Sequence, residues 1–434
     1  MSSIHIDLSL SQSCKRAAAA AFAVIILASA GMAQESLPAG ERLTLAELVK
    51  SALANSLLFG AQDARAEEKR LSAAQARIWP GLTGGFMVGS KRTTEASGPR
   101  YELSIAQPLS LGGKLGLKGG LLELEAESWR IQRSGAEILV TLAVARGAYE
   151  YAASRRKAAF AEMRRKRFEV IESYLSGRVF PTPQRKAESR IVHNHVKNVA
   201  ADAIQSEADY KKSLANLEAY AALGSGAPPV IEVPWLSGTR SLDGKSWLET
   251  ALANNPGLRI QRLALQGAGL ESALASREGL PDAAVVASYE QSKAVETEKN
   301  YGLGLSLAFP SWNRNRSGIK SAEKKRSAEE RQLGYEEQKL RAELAKALIE
   351  YEAARKTVLE YPQETLTELE AQLQDADEGF RKGQLDLLTF LELDDSASET
   401  FGRAFDAQAE LAAKAAELLA VTADKDALTT MGSF

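Results

Sequence analysis

One cysteine and three histidines are all the thiolate and imidazole chemistry in this 434-residue chain. Aromatic residues are scarce at 6%, and a formal net charge of −2 leaves no surplus of Lys and Arg. Phosphate backbones demand such a surplus, so nucleic acid is excluded as a partner. No apolar run in the chain is long enough to cross about 30 Å of hydrocarbon as a helix. Contact with the inside of a membrane would therefore have to come from strands.

Ala, Leu, Glu, Lys and Arg dominate instead, which is the composition of long helices. The first 33 residues have the layout of an export signal: Lys15 and Arg16, an apolar run from Ala17 to Ala28, then Gly31-Met32-Ala33. Cleavage after Ala33 would make Gln34 the first mature residue and remove Cys14. The mature chain then offers no disulfide, no thiolate metal site and no acylated cysteine.

Two short stretches break the helical composition with a period of two. In YELSIAQPLSLGGK, Tyr101, Leu103 and Ile105 face one way and Glu102, Ser104 and Ala106 the other. In YGLGLSLAFPSWNR, Tyr301, Leu303, Leu305, Leu307 and Phe309 oppose Gly302, Gly304, Ser306 and Ala308. Each is preceded by a second candidate strand, giving β-hairpins over about 82–109 and 283–310. Each runs on into a long helical segment, 115–176 and 314–382, and a helix returns after a turn, 184–223 and 384–422.

The two halves are copies. ALAN at 52–55 recurs at 251–254, Pro80 recurs as Pro281, LSIAQP as LSLAFP, and the turn at Gly177 as that at Gly383. Offsets of 199, 201, 202 and 206 residues, nearly constant and growing slowly, mark a tandem duplication. The chain divides into a signal (1–33), a first repeat (34–241, closing on a Pro-rich linker from 224) and a second repeat (242–434). At 1.5 Å per residue, helix 115–176 spans about 93 Å, and the two shorter helices of that repeat total about 94 Å. One long strut thus matches two short ones stacked end to end. Glycines 119, 120, 135 and 147 are expected to weaken the first long helix, and Pro362 to kink the second.

LTLAELVKSALANS at 43–56, QPLSLGGK at 107–114, FPSWNRNRSGIKSAE at 309–323 and FRKGQLDLLTFLELDDS at 380–396 together resemble the TolC-like outer-membrane efflux family, most of all its heavy-metal and cation resistance branch. The resemblance implies a mainly α protein with a small membrane β part: a tandem-repeat, long-helix α-barrel whose β-hairpins form one transmembrane β-barrel shared by a homotrimer. It further implies an outer-membrane duct reaching into the periplasm, without cofactor. Its partners would be outer-membrane lipid, a periplasmic adaptor and an inner-membrane pump of the RND type, and its cargo metal cations or small toxic compounds. Physical reasoning reaches part of this alone. Four strands cannot enclose a pore, and open strand edges are not tolerated in lipid, so several chains must share one barrel.

Catalytic constellations are missing. His193 and His195 are two apart on a helix and point to different faces, so they cannot grip one metal together. Gly112-Gly113-Lys114 lacks phosphate-loop spacing and sits where a strand must become a helix. Neither enzyme nor metal site is expected. Candidate function lies at the membrane strands, with Tyr101, Leu103, Ile105, Tyr301, Leu303, Leu305, Leu307 and Phe309 facing lipid, and at the helix turns. By the resemblance, Gly177, Val179, Gly383, Leu387, Leu388 and Leu391 meet the adaptor. Glu392, nine positions after Gly383, joins an acidic gate. Asp395, expected in the gate with it, and Glu399 share its face by i, i+3 and i+7 spacing. The competing classes are a periplasmic adaptor and a fibrous coiled-coil protein. The first would need small β modules of many short strands, and the second sustained heptads without amphipathic hairpins.

Overall fold

The computed structural model describes residues 42–176, 182–221, 223, 228–239, 242–308 and 314–423. The expected signal at 1–33, the first-tip residues Gly177 and Val179, and Phe309 lie outside the described residues. The chain runs β1 (Arg42–Thr44), α1 (Leu45–Asn55), α2 (Leu57–Ala76), β2 (Thr83–Arg92), β3 (Ser97–Leu109), α3 (Lys114–Ser176), α4 (Pro183–Glu218) and β4 (Val230–Glu232). The second copy follows as α5 (Gly244–Asn254), α6 (Pro256–Glu278), β5 (Asp282–Lys293), β6 (Thr297–Ala308), α7 (Arg316–Leu359), α8 (Gln363–Arg381) and α9 (Leu387–Thr422).

Local chemistry fixes the element ends. Thr44 Oγ1 accepts from the Glu47 N–H while the Glu47 carboxylate accepts from the Thr44 N–H at 2.9 Å, closing the capping box that opens α1. Between β3 and α3 the backbone turns through Gly112 and Gly113, at φ +76° and +72°. That left-handed region costs glycine nothing. The buried ammonium of Lys114 then donates to Leu280 O at 3.1 Å and Asp282 Oδ1 at 2.8 Å, fastening the first repeat to the base of β5 in the second.

The strut arithmetic holds. Antiparallel to α3, α2 runs along its first half, with Arg77–Glu123, Lys69–Glu125 and Arg133–Asp63 as rungs. α4 runs along its second half, where the Tyr151 and Tyr210 rings lie 5.5 Å apart. Glycines 119, 120, 135 and 147 all lie within α3, which is continuous over 63 residues. They admit neighbours: a Cβ on Gly135 would stand 2.9 Å from Pro256 Cγ, at the junction of α5 and α6.

One expectation changes. Pro362 breaks the second long helix, rather than kinking it, into α7 and α8. It caps α8 with extended ψ of 160° and has no N–H to continue the ladder. The Pro-rich linker is structured in its described part. β4 pairs in parallel with β1, and the Gln408 side chain from α9 brackets Leu236, accepting from its N–H and donating to its carbonyl at 2.9 Å each.

A main core draws Leu48, Ala148, Leu217, Leu344 and Leu411 from five helices, the leucines each worth about 1.5–3 kcal/mol of burial. Two smaller cores follow along α3 and α9 toward the Gly383 turn, one around Phe160, Phe401 and Phe405 and the other around Phe168 and Phe390.

Candidate functional site

The strands form one antiparallel sheet in the order β2-β3-β5-β6. Directly paired residues share a face, so the register assigns every side chain. Phe86, Leu103, Tyr289 and Tyr301 form one row, and Gly84, Ile105, Ala287 and Leu303 the next. Leu305 and Leu307 continue this face toward the helices, opposite Val285 and Ala283. Among these, Leu303 is 82% and Leu305 74% exposed, and Tyr101, Leu103, Ile105, Tyr301 and Leu307 are exposed too. Leucine packed on a soluble core would be covered, so this is an apolar face without a protein neighbour. The opposite face carries Gly85, Ser104, Ala106, Ser288, Gly302, Gly304 and Ser306, small and uncharged. No described helix is long and apolar enough to cross a membrane.

At the far end of the struts lies the turn between α8 and α9. Gly383 makes it at φ +71°, and Asp386 caps α9 by accepting from the Leu388 and Thr389 N–H groups at 3.0 and 3.1 Å. Those bonds hold the Asp386 carboxyl below the usual carboxylate range, the Thr389 hydroxyl contributing most. Of the leucines singled out here, Leu388 is exposed, Leu387 packs against the core below it, and Leu391 is buried in that core. Glu392 is exposed and makes no ion pair with any described residue. Asp395 is exposed but engaged by Arg164, and Glu399 is paired with Arg403.

Sequence reasoning missed what engages Asp395. Arg164 of α3 is buried and reaches both Asp394, at Oδ2, and Asp395 of α9, while Arg167 Nη1 meets Asp394 Oδ1 at 3.2 Å. Asp394 is 1% exposed, so its charge depends wholly on these guanidiniums. From α4, His195 tilts against Phe168 with ring centroids 4.5 Å apart, and burial pushes its imidazole below the ordinary histidine value, Asp395 opposing in part. Its neighbour His193 turns away to Glu172 at 2.6 Å, as the spacing of two requires. A nitrogen of His195 and an oxygen of each of Asp394 and Asp395 lie within 4.8 Å of one another. Two guanidiniums already neutralise those carboxylates, which makes the cluster an ion-pair knot rather than a cation site. The signal in the sequence was the run Arg164-Arg165-Lys166-Arg167 opposite the pair Asp394-Asp395.

Residues 247–424 match the model of the family described as Outer membrane efflux protein. The likeness to that family lies in the second half of the chain. The match covers its second repeat, and the first repeats the same order of elements. The fold is shared with solved structures over most of the chain. CusC aligns with 14% identity and a TM-score of 0.68, covering 87% of this chain and 91% of that one. The CmeC outer membrane channel of Campylobacter jejuni aligns with 12% identity and a TM-score of 0.68, covering 90% and 89%. The open-state MtrE outer membrane channel of Neisseria gonorrhoeae gives 15% identity, a TM-score of 0.66 and coverage of 87% and 88%. At these identities the likeness is one of fold. No curated protein matches the sequence significantly. Like these channels, the chain combines a small antiparallel sheet with long helices.

Proposed function

We propose that three copies of this chain form the outer-membrane exit duct of a tripartite efflux system, carrying substrate passively from a pump and adaptor across the periplasm and outer membrane. The observation that carries this reading is the sheet: four strands, one continuous apolar face, and two edges, β2 and β6, left open. Open edges in lipid must be paired, and three four-stranded sheets close into a twelve-stranded barrel. The helices then line a tunnel below it. The duct carries out no catalysis. Residues 1–33 direct export, and 34–241 and 242–434 supply one hairpin each to the barrel. Gly177, Val179, Gly383 and Leu388 contact the adaptor at the tips, with Leu387 and Leu391 shaping the second tip from within. The pump is of the RND type, and the cargo is metal cations or small toxic compounds.

Glu392 lines the periplasmic constriction, where three symmetry-related carboxylates repel one another and attract cations. Reconstitution of purified trimer in planar bilayers tests the reading. A conducting channel is expected, with Glu392→Gln raising conductance or weakening divalent block. A protein that runs as a monomer and conducts nothing overturns the duct. A conducting channel unaffected by Glu392→Gln removes only the gate residue.

A further inference from the structure

Charge on the inward face of the sheet is confined to its two ends. At the base, Asp282 is tied to Lys114. From there to the level of Ser104 and Ser288 the inward residues are uncharged, and then at the hairpin end five ionisable side chains appear together: Lys91, Arg100, Glu102, Glu290 and Glu298. They interlock across strands. Arg100 donates to Glu102 at 3.0 Å and Glu290 at 2.8 Å, and Lys91 on β2 meets Glu298 on β6. The outward aromatic row of Phe86, Tyr289 and Tyr301, with the Tyr289 and Tyr301 rings 5.2 Å apart, lies beside this level. Aromatic girdles mark the membrane interface, so the charges stand at the outer mouth.

The cluster also has unused capacity. Ser292 pairs directly with Arg100, is 1% exposed and faces inward, yet its hydroxyl has no partner. The Arg100 Nε–H beside it is buried and equally unpartnered. Buried polar groups are normally satisfied, so two orphans at one level set this cluster apart from the rest of the sheet.

We propose that Arg100, Glu102 and Glu290, with the Lys91–Glu298 pair, form the electrostatic selectivity collar of the duct at its outer mouth. This rests on the duct reading above. Two cations against three carboxylates leave each chain one negative charge, so three copies present a weakly cation-selective ring. Arg100 moderates it. Without that guanidinium the ring doubles its negative charge, and without Glu102 and Glu290 it becomes positive.

The experiment is the reversal potential of the reconstituted full-length channel in a KCl gradient, together with block by Mg2+ added to the hairpin side. Glu102→Gln/Glu290→Gln should lower the cation-to-anion permeability ratio roughly three- to tenfold and weaken the block, as focused fields in a narrow mouth imply. Arg100→Gln should move both quantities the other way. Lys299→Gln, at the same level but facing outward, should change neither. A parent protein that conducts with all three variants unshifted overturns the collar alone, as do shifts of equal sign in the two collar variants. A parent that forms no channel refutes the duct and the collar with it.

Discussion

Removing the Arg164 side chain should loosen the end of the struts. Arg164 and Asp394 have side chains only 7% and 1% exposed, and the carboxylate has one other partner, Arg167 at 3.2 Å. Arg164→Ala therefore leaves a buried carboxylate with half its compensation. Breaking a buried pair from one side costs about 3–5 kcal/mol, and the surviving Arg167 contact puts the expected loss near about 3. Asp394→Ala should cost somewhat less, because Arg164 keeps Asp395 and reaches Asp202 at 3.8 Å. In the double variant Arg164→Met/Asp394→Leu both buried charges go, so its loss should fall well short of the sum of the two singles. A trimeric membrane protein seldom unfolds reversibly, so the suitable measurement is local: amide hydrogen exchange across 390–400 against a reference stretch in α7. About 3 kcal/mol corresponds to roughly a hundredfold faster exchange in α9. An Arg164→Ala protein with less than about fivefold acceleration there, or a double variant as weak as the sum of the singles, would refute the reasoning.

For the membrane face, Leu305→Arg should cost roughly 2–4 kcal/mol of insertion near the midplane. Ser306→Arg, on the small inward face, should be tolerated. Trimer yield in detergent extracts reports the difference, and equal losses would count against a barrel. His195 gives a pH dependence. Its folded pKa is lowered by burial, so the unfolded chain binds the extra proton. Its contribution is then fully present above the unfolded value of about 6.5 and is lost as pH falls below it. Between pH 7 and 5.5 the protection of α4 amides around His195, after allowance for intrinsic exchange, should fall more steeply in the parent than in His195→Gln, and parallel slopes would dismiss the histidine as a contributor.

Features written within a dozen residues were legible: the alternation of Leu303, Leu305 and Leu307, the Thr44–Glu47 box, the Gly112-Gly113 turn. The similar order of elements in the two halves was legible too, because the sequence repeats such features in order. What escaped is tertiary. Arg164 and Asp394 are 230 positions apart and Gln408 and Leu236 are 172 apart, and neither pairing has a local signature. A run such as Arg164 to Arg167 ordinarily means a solvated face, and only the approach of α9 turns two of its members inward. Gly135 likewise has a tertiary role with no local signature, the close approach of Pro256.

The acidic stripe joins the two kinds of information and bears on the proposed gate. Spacing places Glu392, Asp395 and Glu399 on one side of α9, and all three are exposed. Their charges are not equivalent. Asp395 is drawn to Arg164 and Glu399 to Arg403, which leaves Glu392 as the one stripe carboxylate without an ion pair among the described residues. In a trimer the field at the constriction would thus come from three carboxylates rather than nine. Neutralising Glu392 should then abolish nearly all of the divalent block arising at that end, whereas Glu399→Gln should release Arg403 and leave a net positive change in the same region. The two substitutions remove the same formal charge, so a stripe acting as one undifferentiated field would give them equal effects. Unequal effects, with Glu392 dominant, are what the paired geometry requires.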